Sequence, residues 1–228
     1  MNYLQLCQRV HQEAGLSGSG AASVKGQVGM DKKIVDWVQT AYQEIINLKP
    51  WDFTWQTVDV VVPVGTQTID KVAYGLNDLG FLSRILVSGK PLIYTDWKQS
   101  DATYFNQPQG TVAYFAVLPN GNIKLYPSPD AATTVTIEYH RSKHVLLENS
   151  DVPLIPDNFH MVIVYKALSM YAANDEAVAL FQDAIRQYDS WMSRMDMSQR
   201  EQPKIGISPI DANYINASTR WGQPWVLW

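Results

Sequence analysis

The stretch from Asp157 to Ala173, DNFHMVIVYKALSMYAA, carries a single formal charge after its opening aspartate, at Lys166. From Phe159 to Ala173 apolar residues appear on nearly every side of a helical wheel, which predicts a helix buried on several faces, with Asp157 as its cap. Such a helix needs neighbours all round, so it marks the centre of a core. Asn174, Asp175 and Glu176 then interrupt it. Beyond them Ala177, Phe181, Ala184, Tyr188, Trp191 and Met195 recur at spacings of four and three, a seam for packing on another helix. The two helices are expected to pair as an antiparallel hairpin.

The other neighbours lie at the far end of the chain. Tyr3, Leu6, Cys7, Val10 and Ala14 predict a short amphipathic helix that Gly15 can end. After a polar, glycine-rich loop, a second helix is expected from Asp31 as N-cap, turning Ile34, Val38, Ala41, Tyr42, Ile45 and Leu48 inward until Pro50 stops it. At Trp55 the period changes to two. Val58, Val60 and Val62 alternate with Thr57, Asp59 and Val61, a half-buried strand closed by Pro63 and Gly65. Residues 81–88 and 91–95 read as a hairpin around Ser88 to Pro91, and 111–118 and 122–126 as another around Asn120-Gly121, which suits a tight turn. A strand at 132–140 completes a mostly antiparallel meander, with a short helix possible within 96–106. Beyond Arg200 the prolines and glycines at 203, 206, 209, 222 and 224 forbid a long helix or a central strand.

The predicted class is therefore α+β: a four-helix bundle formed by both chain ends, an antiparallel β-rich insertion and an extended C-terminal arm. The expected boundaries are 1–54 for the first helices, 55–145 for the insertion, 146–200 for the helical hairpin and 201–228 for the arm. That arm ends in WGQPWVLW, three tryptophans in the last eight residues. Large apolar groups on a loosely tied segment are costly unless covered, so Trp221, Trp225 and Trp228 are the candidate partner-docking residues.

Composition narrows the function classes. The net charge of -4 and the lack of any Lys/Arg cluster argue against a protein that grips nucleic acid through its phosphates. No run approaches the ~18 apolar residues of a membrane span, and the first residues lack a signal-peptide pattern, so the chain is read as soluble and unprocessed. One cysteine, Cys7, excludes an internal disulfide framework and falls on a helical stripe, as a packed thiol does. Eight tryptophans and twelve tyrosines lean towards a protein that works by contact.

Four features imitate chemistry. The loop Gly15 to Gly26 has the glycines of a phosphate cradle, yet a helix precedes it and Lys25 is followed by glycine rather than Ser/Thr. His140 and His144 have zinc-like spacing but no further ligands nearby, which makes them a surface pair. His160, in the first turn of a buried helix, reads as a satisfied core or interface histidine. Asp175 and Glu176 fit an interhelical turn better than a glycosidase pair. No nucleophile, base and orienter fall together, so no catalytic, cofactor or metal residues are assigned and the chain is not expected to be an enzyme.

Several segments nevertheless have a familiar wording. Leu4 to Gly20, Val35-Asp-Trp37 through Tyr42 into Trp51-Asp-Phe-Thr-Trp55, Leu154-Ile-Pro156-Asp-Asn-Phe-His160 with the helix that follows, and the downstream helix with Tyr188 together resemble the adaptor, or head-to-tail connector, proteins of tailed bacteriophages, particularly short-tailed ones. The likeness is a pattern of core and turn residues across most of 1–196. It implies a virion protein of the neck, assembled in the host cytoplasm. Such a protein forms a homo-oligomeric ring, commonly of twelve copies, between the portal and further tail proteins such as a nozzle or tail tube. DNA would pass through its lumen without specific binding, with no cofactor and no membrane contact. The alternative is a carbohydrate-binding module of a tail or cell-surface protein, stacking sugars on Trp97 or Trp225, and a virion-borne cell-wall hydrolase using Asp175 and Glu176 is a third reading.

Overall fold

A computed structural model describes residues 1–104, 108–142 and 144–199. The arm, with Trp221, Trp225 and Trp228, lies outside the described residues. Two compact units divide the chain, Met1–Met195 and Asp196–Trp228, and only residues 196–199 of the second are described. Among the described residues the fold is mixed α+β, with five helices and two four-stranded sheets.

Helix α4 (Met161–Asn174) is the buried centre that its sequence demands. Val162, Ile163, Val164 and Ala167 are fully buried, and Leu168, Tyr171 and Ala172 nearly so. Its one charge is satisfied: Lys166 Nζ lies 2.9 Å from Glu44 Oε2 and 5.5 Å from the Tyr188 ring centre. Asp157 does not cap this helix. It opens a 3-10 turn, Asp157–Phe159, and His160 occupies the N-cap position without a side-chain cap bond. The proline at 156 explains the shift, since its fixed φ favours an extended entry and a tight first turn.

Helices α1 (Tyr3–Glu13) and α2 (Gly29–Asn47) pack on α4 and on each other. Asn2 and Gln5 close α1 with a reciprocal capping box, both bonds 2.9 Å, and the Tyr3 hydroxyl donates to the Val35 carbonyl at 3.0 Å. Gly15, at φ +67°, ends this helix as expected. For α2 the start moves: Val28 is the N-cap and Asp31 sits inside the first turn, where its charge meets the positive end of the helix dipole rather than capping it. Leu48 is exposed, because the helix stops at Asn47.

Glu176, at φ +54°, makes the break before α5 (Val178–Ser198). The predicted seam is partly realised. Ala184 and Met195 are buried and Tyr188 and Trp191 half-buried, while Ala177 precedes the helix and Phe181 is 39% exposed. Leu168, Tyr171 and Ala184 form a small cluster with Leu180 at the α4–α5 turn. Phe181, one turn before Ala184, stays outside this cluster.

Trp51 delivers the chain from helices to sheets. It is fully buried, its Nε1 donates to the Ile45 carbonyl at 2.8 Å, and Phe53 stacks on it at 5.5 Å. After the turn Asp52–Thr54 come β1 (Trp55–Val62), β2 (Thr68–Ile69), β3 (Leu79–Val87), β4 (Lys90–Pro91) and β5 (Ile93–Tyr94). Then follow α3 (Trp97–Tyr104), β6 (Tyr114–Val117), β7 (Ile123–Tyr126) and β8 (Thr133–Arg141). The expected meander is instead two sheets, ordered β1-β8-β3-β4 and β2-β7-β6-β5, with β5 and β6 parallel. The hairpin around Ser88-Gly89 pairs only Leu86 with Pro91 and Val87 with Lys90. Proline cannot continue a ladder as donor, and from Ile93 the chain joins the other sheet. The last strand, β8, is central, since its buried Val135, Ile137 and Tyr139 need cover from both sides. The strand β3 bulges twice against it. At the first bulge a Cβ on Gly80 would come within 2.9 Å of the His140 carbonyl oxygen, so glycine is required there.

Two large cores result among the described residues, besides the small cluster at the α4–α5 turn. One gathers α1, α2 and α4 around Trp51, Leu146, Ile155 and Phe159, with Met195 at its edge. The other lies between the sheets, where Val60, Val62, Ile85, Ile137, Phe115 and Leu125 meet.

Candidate interaction surface

Each feature that imitated chemistry has a structural occupation. Cys7 is 1% exposed and burial pushes its thiol up to about 12, so it stays a protonated packing group. Lys25 pairs with Glu148, not with a phosphate site. The glycine-rich loop is fastened down: Asn149 Oδ1 accepts from the Val24 amide at 2.8 Å and the Ser23 hydroxyl at 3.2 Å, and Gln8 donates to the Ala21 carbonyl at 3.1 Å. A shallow pocket beside it is lined by Gln5, Gln8, Arg9 and Gln12, with Arg9 engaged by Gln12 at 3.1 Å and Glu13 at 2.5 Å. The Asp175 backbone closes α4, and its carboxylate accepts from Tyr171 at 3.4 Å. Among the described residues no three His, Cys, Asp or Glu side chains come together as metal ligands.

The histidines are not a surface pair. His140 Nδ1 lies 2.9 Å from the Trp51 carbonyl and 3.2 Å from Thr54 Oγ1, tying β8 to the turn that enters β1. His144 Nδ1 lies 2.7 Å from the Tyr42 hydroxyl, tying the chain after β8 to α2. Both are half-buried at the seam between helices and sheets, a location set by the pairing of β1 with β8 and invisible in their spacing. His160 is satisfied, as expected: it is fully buried, with Nε2 donating to the Ile155 carbonyl at 2.8 Å and Nδ1 2.7 Å from the Met1 amino group.

Burial holds the pKa of His144 and of His160 below the ordinary value of 6.5. Both are therefore neutral in the fold, and the unfolded chain binds more protons as pH falls below about 6.5. Their contribution to stability is complete above that pH and is lost as pH falls towards the lowered folded values. Melting curves should hold steady between about pH 8 and 7 and shift to lower temperature from about 6.5 downwards, a decline that His160→Gln reduces. Asp101 and Asp151, held low chiefly by hydrogen bonds from Lys124 and from the Glu148 backbone, add losses of the same sign only below about pH 4.

Aromatic rings also stand at the surface of the described residues. Trp97, a candidate for sugar stacking, opens α3 and is half-buried, with Lys98 Nζ 5.5 Å from its ring centre. On the outer face of the first sheet, Trp55, His140 and Phe81 stand in one cross-strand row, the first two rings in edge contact at 5.1 Å. Trp55 is 41% and Phe81 48% exposed. In the next row Thr57 lies beside Glu138, which is bound by Arg84, and then Asp59 accepts from the Thr136 hydroxyl at 2.6 Å. An aromatic row flanked by satisfied charges is the composition of a contact surface. Sequence reading missed it because Phe81 is 26 positions from Trp55 and only β8 brings them together.

A family model described as SU10 adaptor protein matches residues 1–205. The chain belongs to that adaptor family. The match takes in all the segments that resembled phage head-to-tail adaptors, both helical ends and the β-rich middle, so the resemblance holds at the level of family. No curated protein matches this adaptor. Among its described residues no helix is long and apolar enough to cross a membrane.

Proposed function

We propose that this adaptor is a structural virion protein of the phage neck, forming a homo-oligomeric ring, commonly of twelve copies in such proteins, between the portal and further tail proteins, with a DNA channel through its lumen. The observation that carries this reading is the family match over residues 1–205. The net charge of -4 supports it, since a lumen that lets DNA slide must not neutralise phosphates. The structural uses found for His160, Asp175, Glu176 and Cys7 support a role without catalysis. In this reading α1, α2, α4 and α5 act together as a four-helix bundle, the packing unit of a ring assembled in the host cytoplasm. The arm after Arg200 reaches a neighbouring copy or the portal through Trp221, Trp225 and Trp228.

Deleting residues 217–228 tests the arm. A buried tryptophan removes ~150–250 Å² from water, worth about 4–6 kcal/mol before ordering costs, so losing three should weaken assembly with the cognate portal at least about a hundredfold. Native mass spectrometry and electron micrographs of the mixture give the readout. A full-length chain that forms no ring with its portal would overturn the adaptor proposal, and unchanged assembly of the deleted chain would overturn docking by the arm alone.

A further inference from the structure

The two sheets end in four strands, β1, β4, β2 and β5. Three of them are only two residues long, and β4 finishes on Pro91. The fourth is different. The strand β1 runs for eight residues in unbroken register with β8 and contains no proline, glycine, lysine or arginine. Among the described residues no hydrogen bond reaches the backbone groups on its outer side. Proteins blunt their sheet edges with short strands, prolines, bulges or lysines, because a long flat edge is a template for another strand. Among the described residues three edges are blunted and one is left open.

The side chains define what fits there. On the inner face Val60 and Val62 are buried and Val58 half-buried, so an added strand would extend the sheet core with β-branched residues. On the outer face Trp55 and Val61 are exposed, and Asp59 is the one formal charge of the strand. A residue facing Asp59 across the new pairing is favoured if basic and disfavoured if acidic. A second copy of β1, brought up antiparallel about that residue, would set Asp59 against itself.

We propose that the outer edge of β1 accepts an extended segment of a partner polypeptide as a fifth strand of this sheet, alternating β-branched with polar residues and carrying a lysine or arginine opposite Asp59. The proposal goes beyond the adaptor reading and needs neither ring nor portal, so either can fail alone.

The test uses the full chain, isotope-labelled, and two soluble eight-residue peptides of alternating valine and threonine, one with a central lysine and one with a central glutamate. Amide exchange across Trp55–Val62 should slow about tenfold at saturating lysine peptide, with resonance shifts confined to the first sheet. The lysine peptide should bind about three- to fivefold more tightly than the glutamate peptide, and Asp59→Lys should reverse that order while leaving the melting temperature close to that of the parent. Equal binding of the two peptides, shifts centred elsewhere, or unchanged β1 exchange at millimolar peptide would overturn the proposal. So would a dimer of the isolated chain cross-linked through β1.

Discussion

Trp51→Ala is expected to be the most damaging single truncation in the helical part. The side chain is 1% exposed, stacks on Phe53, lies under Lys49 Nζ at 4.2 Å and donates to the Ile45 carbonyl. Large-to-small changes at such positions cost about 3–5 kcal/mol in lost transfer energy and cavity. For a chain of 228 residues that corresponds to a fall in melting temperature of roughly 6–20 °C. Trp51→Phe keeps most of the area and loses the hydrogen bond, so it should cost about 1–2 kcal/mol. Near-equal melting temperatures for the two variants would mean that ring area is not what Trp51 contributes.

The second large effect belongs to the other core. Ile137 is fully buried in β8, opposite Val58 on one side and Ile85 on the other, and Ile137→Ala should cost about 2–5 kcal/mol. Because Trp51 and Ile137 fall in different clusters, their costs should add within about 0.5 kcal/mol in the double variant. Chemical denaturation of the four proteins measures this. A coupling well above that figure would show that the helices and sheets share one cooperative core rather than two.

The row of Trp55, His140 and Phe81 was not readable in advance, whereas parts of the fold around it were. The seam of α5 was legible at Ala184, Tyr188, Trp191 and Met195, because helical spacing alone decides which residues share a stripe. Phe181 obeyed the same spacing and is exposed, because periodicity says which face is apolar and not how far a neighbour extends along it. The histidines misled for a related reason. Spacing suggested ligands or a surface pair, whereas His140 and His144 are held by Trp51, Thr54 and Tyr42, residues 86 or more positions away. The capping box of Asn2 and Gln5 is legible as Asn-x-x-Gln, whereas Asn149, which pins the glycine-rich loop, gives no local sign at all.

By itself the sequence determined the elements whose stability is local or periodic. Helix α4 had to be central, since an all-round apolar helix cannot stay wet, and β1 had to present one valine row inward, since strand side chains alternate. It determined the family too, whose pattern of core and turn residues runs from end to end of the described structure. The tertiary structure alone decided which strands pair. The eight strands of the described residues admit many orders, and the choice of β8 as the centre of one sheet rests on long-range burial of Val135, Ile137 and Tyr139. That choice set Trp55 and Phe81 on either side of His140 and, among the described residues, left the outer edge of β1 open, because partners in a ladder are selected by the whole core and not by any one strand.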